Sequence, residues 1–123
     1  MELPYFSPGE NNYEVADTEH GKLGIFICFD RHFAEVSERY SALRPDLLFV
    51  LCCTSSARSN AKWFAQAQTY AQTLNAHTFF VNRVGVDIRF PNRQFFGTSL
   101  GVGPSGNLLV KASSNKDEIL IIK

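Results

Sequence analysis

Two near-continuous apolar runs, Leu23 to Ile27 and Leu47 to Cys53, flank a segment in which Phe33, Val36, Tyr40 and Leu43 recur at helical spacing. Arg44-Pro45-Asp46 stops that helix, because the residue before a proline is pushed out of the helical region. The pattern predicts one βαβ unit, and continuous hydrophobicity in both strands predicts a parallel sheet covered on both faces with a right-handed crossover. Upstream, the turn signals Pro8-Gly9, Asn11-Asn12 and His20-Gly21 bracket a short outer strand from Tyr13 to Ala16.

Downstream, the spacing predicts a long helix over about Asn60 to Ala76, with Trp63, Ala67, Tyr70, Ala71 and Leu74 as its core stripe. A short strand, Thr78 to Asn82, follows, and then a polar loop from Asp87 to Gln94 of the kind that often carries recognition. The segments Thr98 to Gly103 and Leu108 to Ala112 flank Pro104-Ser105-Gly106, and Ile119 to Ile122 reads as a last strand. The end of the chain therefore reads as hairpins, giving an α/β (α+β) fold with a mixed sheet and two covering helices.

Composition narrows the function classes. The 123 residues hold twelve basic and twelve acidic side chains, and 45% are hydrophobic. No basic run marks a nucleic-acid footprint, so no nucleic-acid partner is expected. The longest apolar stretch is too short to span a bilayer, and Met1 to Glu10 lacks the layout of a secretory signal, so a cytoplasmic protein without a membrane partner is expected. Three cysteines, two of them adjacent, form no disulfide framework, and their spacing with His20, His32 and His77 fits no structural zinc pattern. Reduced thiols, no metal and no cofactor are the expectation.

Cys28 carries the most chemistry. It ends an apolar strand and precedes Phe29, Asp30, Arg31 and His32, where a helical pattern begins. A helix entrance offers unsatisfied N–H groups that favour thiolate over thiol, which suits a nucleophile. The bland alternative is a small buried cysteine closing a strand. By strand alternation, one of Cys52 and Cys53 would face the pocket and the other the core, and structural packing accounts for both.

The stretch GKLGIFICFDRHFAE resembles the nucleophile motif of the nitrilase superfamily, the carbon–nitrogen hydrolases, in which G-K-x-G-x-x-I-C is followed by an aromatic residue and Asp-Arg. Three further blocks agree in order. Glu2, Tyr5, Phe6, Pro8 and Gly9 match E-x-x-Y-F-x-P-G; AQTLNAHTFFVNRVG and FFGTSLGVGPSG resemble the family's A-x-x-N-x-x-F-x-x-x-N-R-V-G and F-x-G-x-S-x-x-x-x-P-x-G. A generic flavodoxin-like binding domain also contains βαβ units, but no Gly-rich phosphate loop follows any strand here.

The resemblance implies part of an α-β-β-α sandwich. It implies Cys28 as the nucleophile attacking an amide, N-carbamoyl or nitrile carbon, with a thioester acyl-enzyme to follow. Glu2 matches a second family glutamate that positions substrate, and the Phe29 N–H would belong to the oxyanion hole. Arg31, His32, Thr54, Asn82 and Arg83 are the substrate-binding candidates. Alternatives stand beside them: an ion pair of Arg31 with Asp30, Glu35 or Glu38, loop anchoring for Asn82 and Arg83, and a surface role for Glu2. A Cys28–His32 dyad is disfavoured, because a residue four positions along a departing helix points away from the strand end.

The family's catalytic set is Glu, Lys and Cys, and this chain supplies only the cysteine. The general-base Glu and the Lys lie upstream of the matched region, which makes 1–123 the expected C-terminal portion of a single domain. Ala34 stands where the family usually has Pro, and His32 where it often has an aromatic ring. Asp30-Arg31 gives the motif the look of amidases and N-carbamoyl hydrolases. With strands missing from the sandwich, apolar surface should lie bare, so the expected partners are a further copy in a homo-oligomer, or a complementing chain carrying Glu and Lys. The alternative reading is a non-catalytic fragment or pseudoenzyme subunit that serves as an interaction module.

Overall fold

The computed structural model describes residues 5–7, 9–10 and 13–122. Strands β1 (Val15–Thr18), β2 (Gly21–Ile27), β3 (Leu47–Cys52), β4 (His77–Asn82), β7 (Leu100–Val102) and β8 (Leu108–Lys111) form one sheet in the order β1-β2-β3-β4-β7-β8. A separate antiparallel pair, β5 (Val84–Asp87) and β6 (Phe90–Phe96), projects between β4 and β7. The pairs β2·β3 and β3·β4 are parallel and the outer pairs antiparallel, so the sheet is mixed as the sequence predicts.

Period-two alternation explains how the layers form. In register across the sheet, Phe26, Val50, Phe80 and Leu100 share one face, as do Gly24, Leu48, Thr78 and Val102, and all are buried. Helices α1 (Ala34–Leu43) and α2 (Ala57–Leu74) cover this face with Val36 and Tyr40 from the first and Trp63, Ala67, Tyr70, Ala71 and Leu74 from the second. The stripe predicted on α2 is buried at all five positions. Gly24 permits the close approach of α1, because a Cβ there would meet the Tyr40 ring at 2.7 Å, and the Tyr40 hydroxyl donates to the Ile25 carbonyl at 2.6 Å.

The opposite face carries Ile25, Phe49 and Phe79 in one row and Ile27, Leu51 and Val81 in the next. Ile25, Ile27, Leu51 and Val81 are 40–56% exposed, and no described element layers over them. The two apolar runs therefore do not mean that both faces are covered within this chain. One helix-covered sheet is present, and its opposite apolar face is left largely open, with no described helix or strand over it.

Four local expectations are corrected. The helix after Cys28 begins with a short 3-10 turn, Cys28–His32, and α1 starts only at Ala34, leaving Phe33 as an exposed cap outside the helix's buried stripe. The polar stretch 87–94 falls within the hairpin of β5 and β6 rather than forming a loop. Ile119 to Ile122 pair with none of the described strands. The outer strand begins at Val15, not Tyr13.

Candidate active site

Parallel pairing brings the C-terminal ends of β2, β3 and β4 to one edge of the sheet, so Cys28, Cys52-Cys53 and Asn82-Arg83 converge although they lie far apart in sequence. Cys28 has a backbone φ of 40°, a left-handed conformation that a β-substituted residue adopts at a cost. The other non-glycine residues with positive φ include Arg44 and Asn75, which simply cap α1 and α2; Cys28 instead sits where an extended strand folds sharply into the 3-10 turn. The Asp30 carboxylate holds this turn by accepting the Ile27 N–H at 3.1 Å, and the Phe33 N–H donates to the Asp30 carbonyl at 3.0 Å.

Arg31 is buried beneath the turn rather than reaching outward. Its Nη1 donates to the Cys28 carbonyl and lies 3.7 Å from Cys28 Sγ and 3.8 Å from Cys52 Sγ. Its Nε faces Gln66 Oε1 at 3.3 Å, its guanidinium lies 5.7 Å from the Trp63 ring centre, and its carbonyl accepts from the Tyr70 hydroxyl at 2.9 Å. Trp63, Gln66 and Tyr70 come from one face of α2, so this helix positions the cation against the sulfurs. The hydrogen bonds of Arg31 thus run to the turn, the thiols and α2, and not to Asp30, Glu35 or Glu38.

The same groups set the acidity of the thiols. The Cys52 S–H donates to Cys28, and this lowers the Cys28 pKa to about 5 against the opposing effect of burial; the Cys53 backbone N–H and Arg31 add to the lowering. Cys52 moves the opposite way, because donating to Cys28 and being buried both keep its proton in place. Between two adjacent thiols one negative charge is stable, and it resides on Cys28, where the Cys53 N–H and the cation meet it.

The remaining candidates divide into anchors and cleft residues. Asn82 is buried; its Oδ1 accepts from the Thr54 N–H at 3.0 Å, and its Nδ2 donates to the carbonyls of Thr54 and Gly97, both at 3.2 Å. The Asn82 amide therefore ties the segment after β3 to the one after β6, and Thr54 is held through its backbone. Arg83 is exposed, with its guanidinium 4.6 Å from the Phe95 ring centre and Nη1 3.9 Å from Cys53 Sγ. His32 is exposed, its ring 5.1 Å from that of Phe29, and it lines a cleft of about 380 Å³ with Phe29, Arg58, Ser59, Lys62 and Gln66. Desolvation, followed by the positive charge of Arg31, lowers the His32 pKa, which favours neutral imidazole.

Glu2 lies outside the described residues. Among the described residues no group of three His, Cys, Asp or Glu side chains is placed to hold a metal, and no helix is long and apolar enough to cross a membrane. A larger cleft of about 750 Å³ lies on the open face, between Phe49, Phe79 and Val81 and the segment 112–122. Sequence reasoning passed over Gln66, whose only signal was its place between Trp63 and Tyr70 on the face of α2 that meets Arg31.

Comparison with known proteins agrees with this geometry. N-carbamoylputrescine amidase of Arabidopsis thaliana is 27% identical over 128 residues, covering 95% of this chain and 43% of its own length. The crystal structure of a carbon-nitrogen hydrolase from Helicobacter pylori G27 superimposes with a TM-score of 0.81 at 26% identity, over 94% of this chain and 44% of that one. The C. elegans NitFhit protein gives 0.82 at 25% identity, over 94% and 27%. The chain thus spans less than half the length of the relatives it matches. The carbon-nitrogen hydrolase family model matches residues 1–123, so this chain, with its strand-end cysteine and one helix-covered sheet, belongs to the carbon-nitrogen hydrolase family.

Proposed function

We propose that the chain is the nucleophile-bearing, C-terminal portion of a carbon–nitrogen hydrolase acting on a small amide or N-carbamoyl substrate. The observation that carries this reading is Cys28 itself, presented on a left-handed strand-to-turn residue with Arg31 Nη1 3.7 Å from its sulfur; Cys52, the Cys53 N–H and Arg31 lower its pKa and favour the thiolate. The thiolate attacks the carbonyl carbon, and the Phe29 N–H at the start of the turn, together with a lysine contributed from outside this segment, stabilises the tetrahedral oxyanion. Collapse expels ammonia, protonated by a glutamate from outside this segment, and leaves a thioester on Cys28. Water, deprotonated by the same glutamate, then releases the carboxylic or carbamic acid and regenerates the thiolate with the glutamate protonated.

The proposed roles within the substrate-binding set also differ. Arg31 is a positioning residue that acts through Cys28, and Asn82 with Thr54 holds the pocket wall, whereas His32 and Arg83 are the exposed members that can meet substrate. Similarity to the Arabidopsis N-carbamoylputrescine amidase favours an N-carbamoyl amine. The bare apolar sheet face favours a partner, either a further copy of this chain or a chain bringing the missing Glu and Lys.

Acid-quenched intact mass tests the proposal on the chain combined with a segment that supplies the Glu and Lys and incubated with small primary amides and N-carbamoyl amines, with released ammonia followed in parallel. The expected result is an acyl adduct on Cys28, absent in Cys28→Ser. Alkylation of Cys28 by iodoacetamide with no acyl adduct from any amide would overturn it and leave the interaction-module reading.

A further inference from the structure

The second thiol beside the nucleophile has no task in the hydrolytic scheme beyond its hydrogen bond. Strand register explains why it is there: Ile27 of β2 pairs with Leu51 of β3, so the next residues along, Cys28 and Cys52, occupy neighbouring positions where the parallel strands end. Adjacent strands run about 4.8 Å apart, inside the 4.4–6.8 Å Cα separation that a disulfide requires, and Cys28 is the first residue after that pairing ends. Both sulfurs lie within 3.8 Å of the same Arg31 nitrogen, both are half-buried, and both are reduced. Cys53 differs: its side chain alternates away from Cys52, is exposed, and faces Arg83.

From this juxtaposition we propose that Cys28 and Cys52 form a reversible redox pair, in which a hydroperoxide converts the nucleophile to a disulfide with Cys52. In the first step the Cys28 thiolate attacks a peroxide oxygen. The O–O bond breaks, Cys28 becomes a sulfenic acid, and hydroxide leaves and takes up a proton as water. In the second step the Cys52 sulfur attacks the Cys28 sulfur, the S–O bond breaks, and the hydroxyl leaves with the Cys52 proton as a second water. Two thiols and one hydrogen peroxide thus give one disulfide and two waters.

The local chemistry suits each role. The Cys52 hydrogen bond, the Cys53 N–H and Arg31 together favour Cys28 as the reactive thiolate, and Arg31 sits beside the sulfur that receives the attack. Cys52 is the resolving thiol, its sulfur 3.8 Å from the Arg31 nitrogen that lies 3.7 Å from the Cys28 sulfur, and so placed to close the bond before a second peroxide drives Cys28 to sulfinic acid. The disulfide removes the thiolate needed for attack on a carbonyl carbon, and a dithiol reductant restores it. This inference goes beyond the hydrolytic proposal and stands without it, since it concerns the two thiols alone.

The test is hydrogen peroxide treatment of the reduced chain, followed by intact mass and non-reducing tryptic mapping. The expected product weighs two hydrogens less and joins peptide 23–31 to peptide 40–58, and dithiothreitol restores iodoacetamide labelling of Cys28. The same cross-link should form in Cys53→Ser and be absent in Cys52→Ser, where dimedone traps the sulfenic acid instead. Fragment-ion sequencing of the wild-type cross-linked peptide locates the bond at Cys52 or Cys53 even if a variant fails to fold. A bond to Cys53, a bond between chains, sulfinic acid on Cys28 beside a reduced Cys52, or no oxidation of Cys28 would each overturn the proposal.

Discussion

The two faces of the sheet contain almost the same chemistry and have opposite fates. Val50 and Phe80 are fully buried under α1 and α2, while Leu51 and Val81, the next residue along each strand, are 40% exposed. Alternation sends neighbours to opposite faces, so strands of continuous hydrophobicity encode two apolar faces, and only the one with helices attached by short connections is covered here. Apolar character along a strand reports what it is suited to contact, and the rest of the chain decides whether that contact is made.

Truncation on each face measures the difference. Phe80→Ala removes a ring packed among Trp63 and Tyr70 and should destabilise by about 3–5 kcal/mol. Leu51→Ala should cost under about 1 kcal/mol, because much of that side chain is already in water. Urea unfolding of the two variants checks the pair. A loss from Leu51→Ala as large as that from Phe80→Ala would show the open face to be covered in solution.

Placing charges on the open face extends the comparison to association. Ile27→Glu with Val81→Lys should shift the chain toward monomer in light scattering coupled to size exclusion, since a contiguous bare apolar surface drives self-association. An unchanged mass would mean that this face takes no part in assembly.

At the strand ends, Arg31→Gln removes the cation beside Cys28. A thiolate loses stability without it, so the pH midpoint of iodoacetamide alkylation, expected near 5 in the wild type from the lowered Cys28 pKa, should rise in the variant, with labelling at neutral pH continuing. The sign is that of an acid: reactivity increases as pH passes upward through the pKa. A smaller effect is expected from Tyr40→Phe, which deletes one hydrogen bond to the Ile25 carbonyl on the covered side and should cost about 1 kcal/mol by urea unfolding.

Much of this was legible in the sequence. The β2, β3 and β4 runs, the five-residue stripe of α2 and the nucleophile motif all rest on local periodicity or on contiguous residues. The hairpin of β5 and β6 was missed because its polar residues, Asn92, Arg93 and Gln94, face solvent on a two-stranded ribbon and carry no apolar alternation to report it. Ile119 to Ile122 misled in the opposite sense, since an apolar run shows strand propensity but cannot show whether an edge is within reach.

Arg31 and Cys52 mark the boundary most clearly. Charge and position alone suggested that Arg31 grips substrate or pairs with a nearby carboxylate, and composition suggested that Cys52 merely packs. Local sequence determined the strand, the sharp turn and the presence of a cysteine at its end, because these depend on residues a few positions apart. Only the tertiary structure, through the register of β2 against β3 and the face that α2 turns toward them, brought residues 21 to 35 positions apart to one thiolate. Its acidity follows from that proximity, and electrostatic and hydrogen-bonding effects of this kind act through space rather than along the chain.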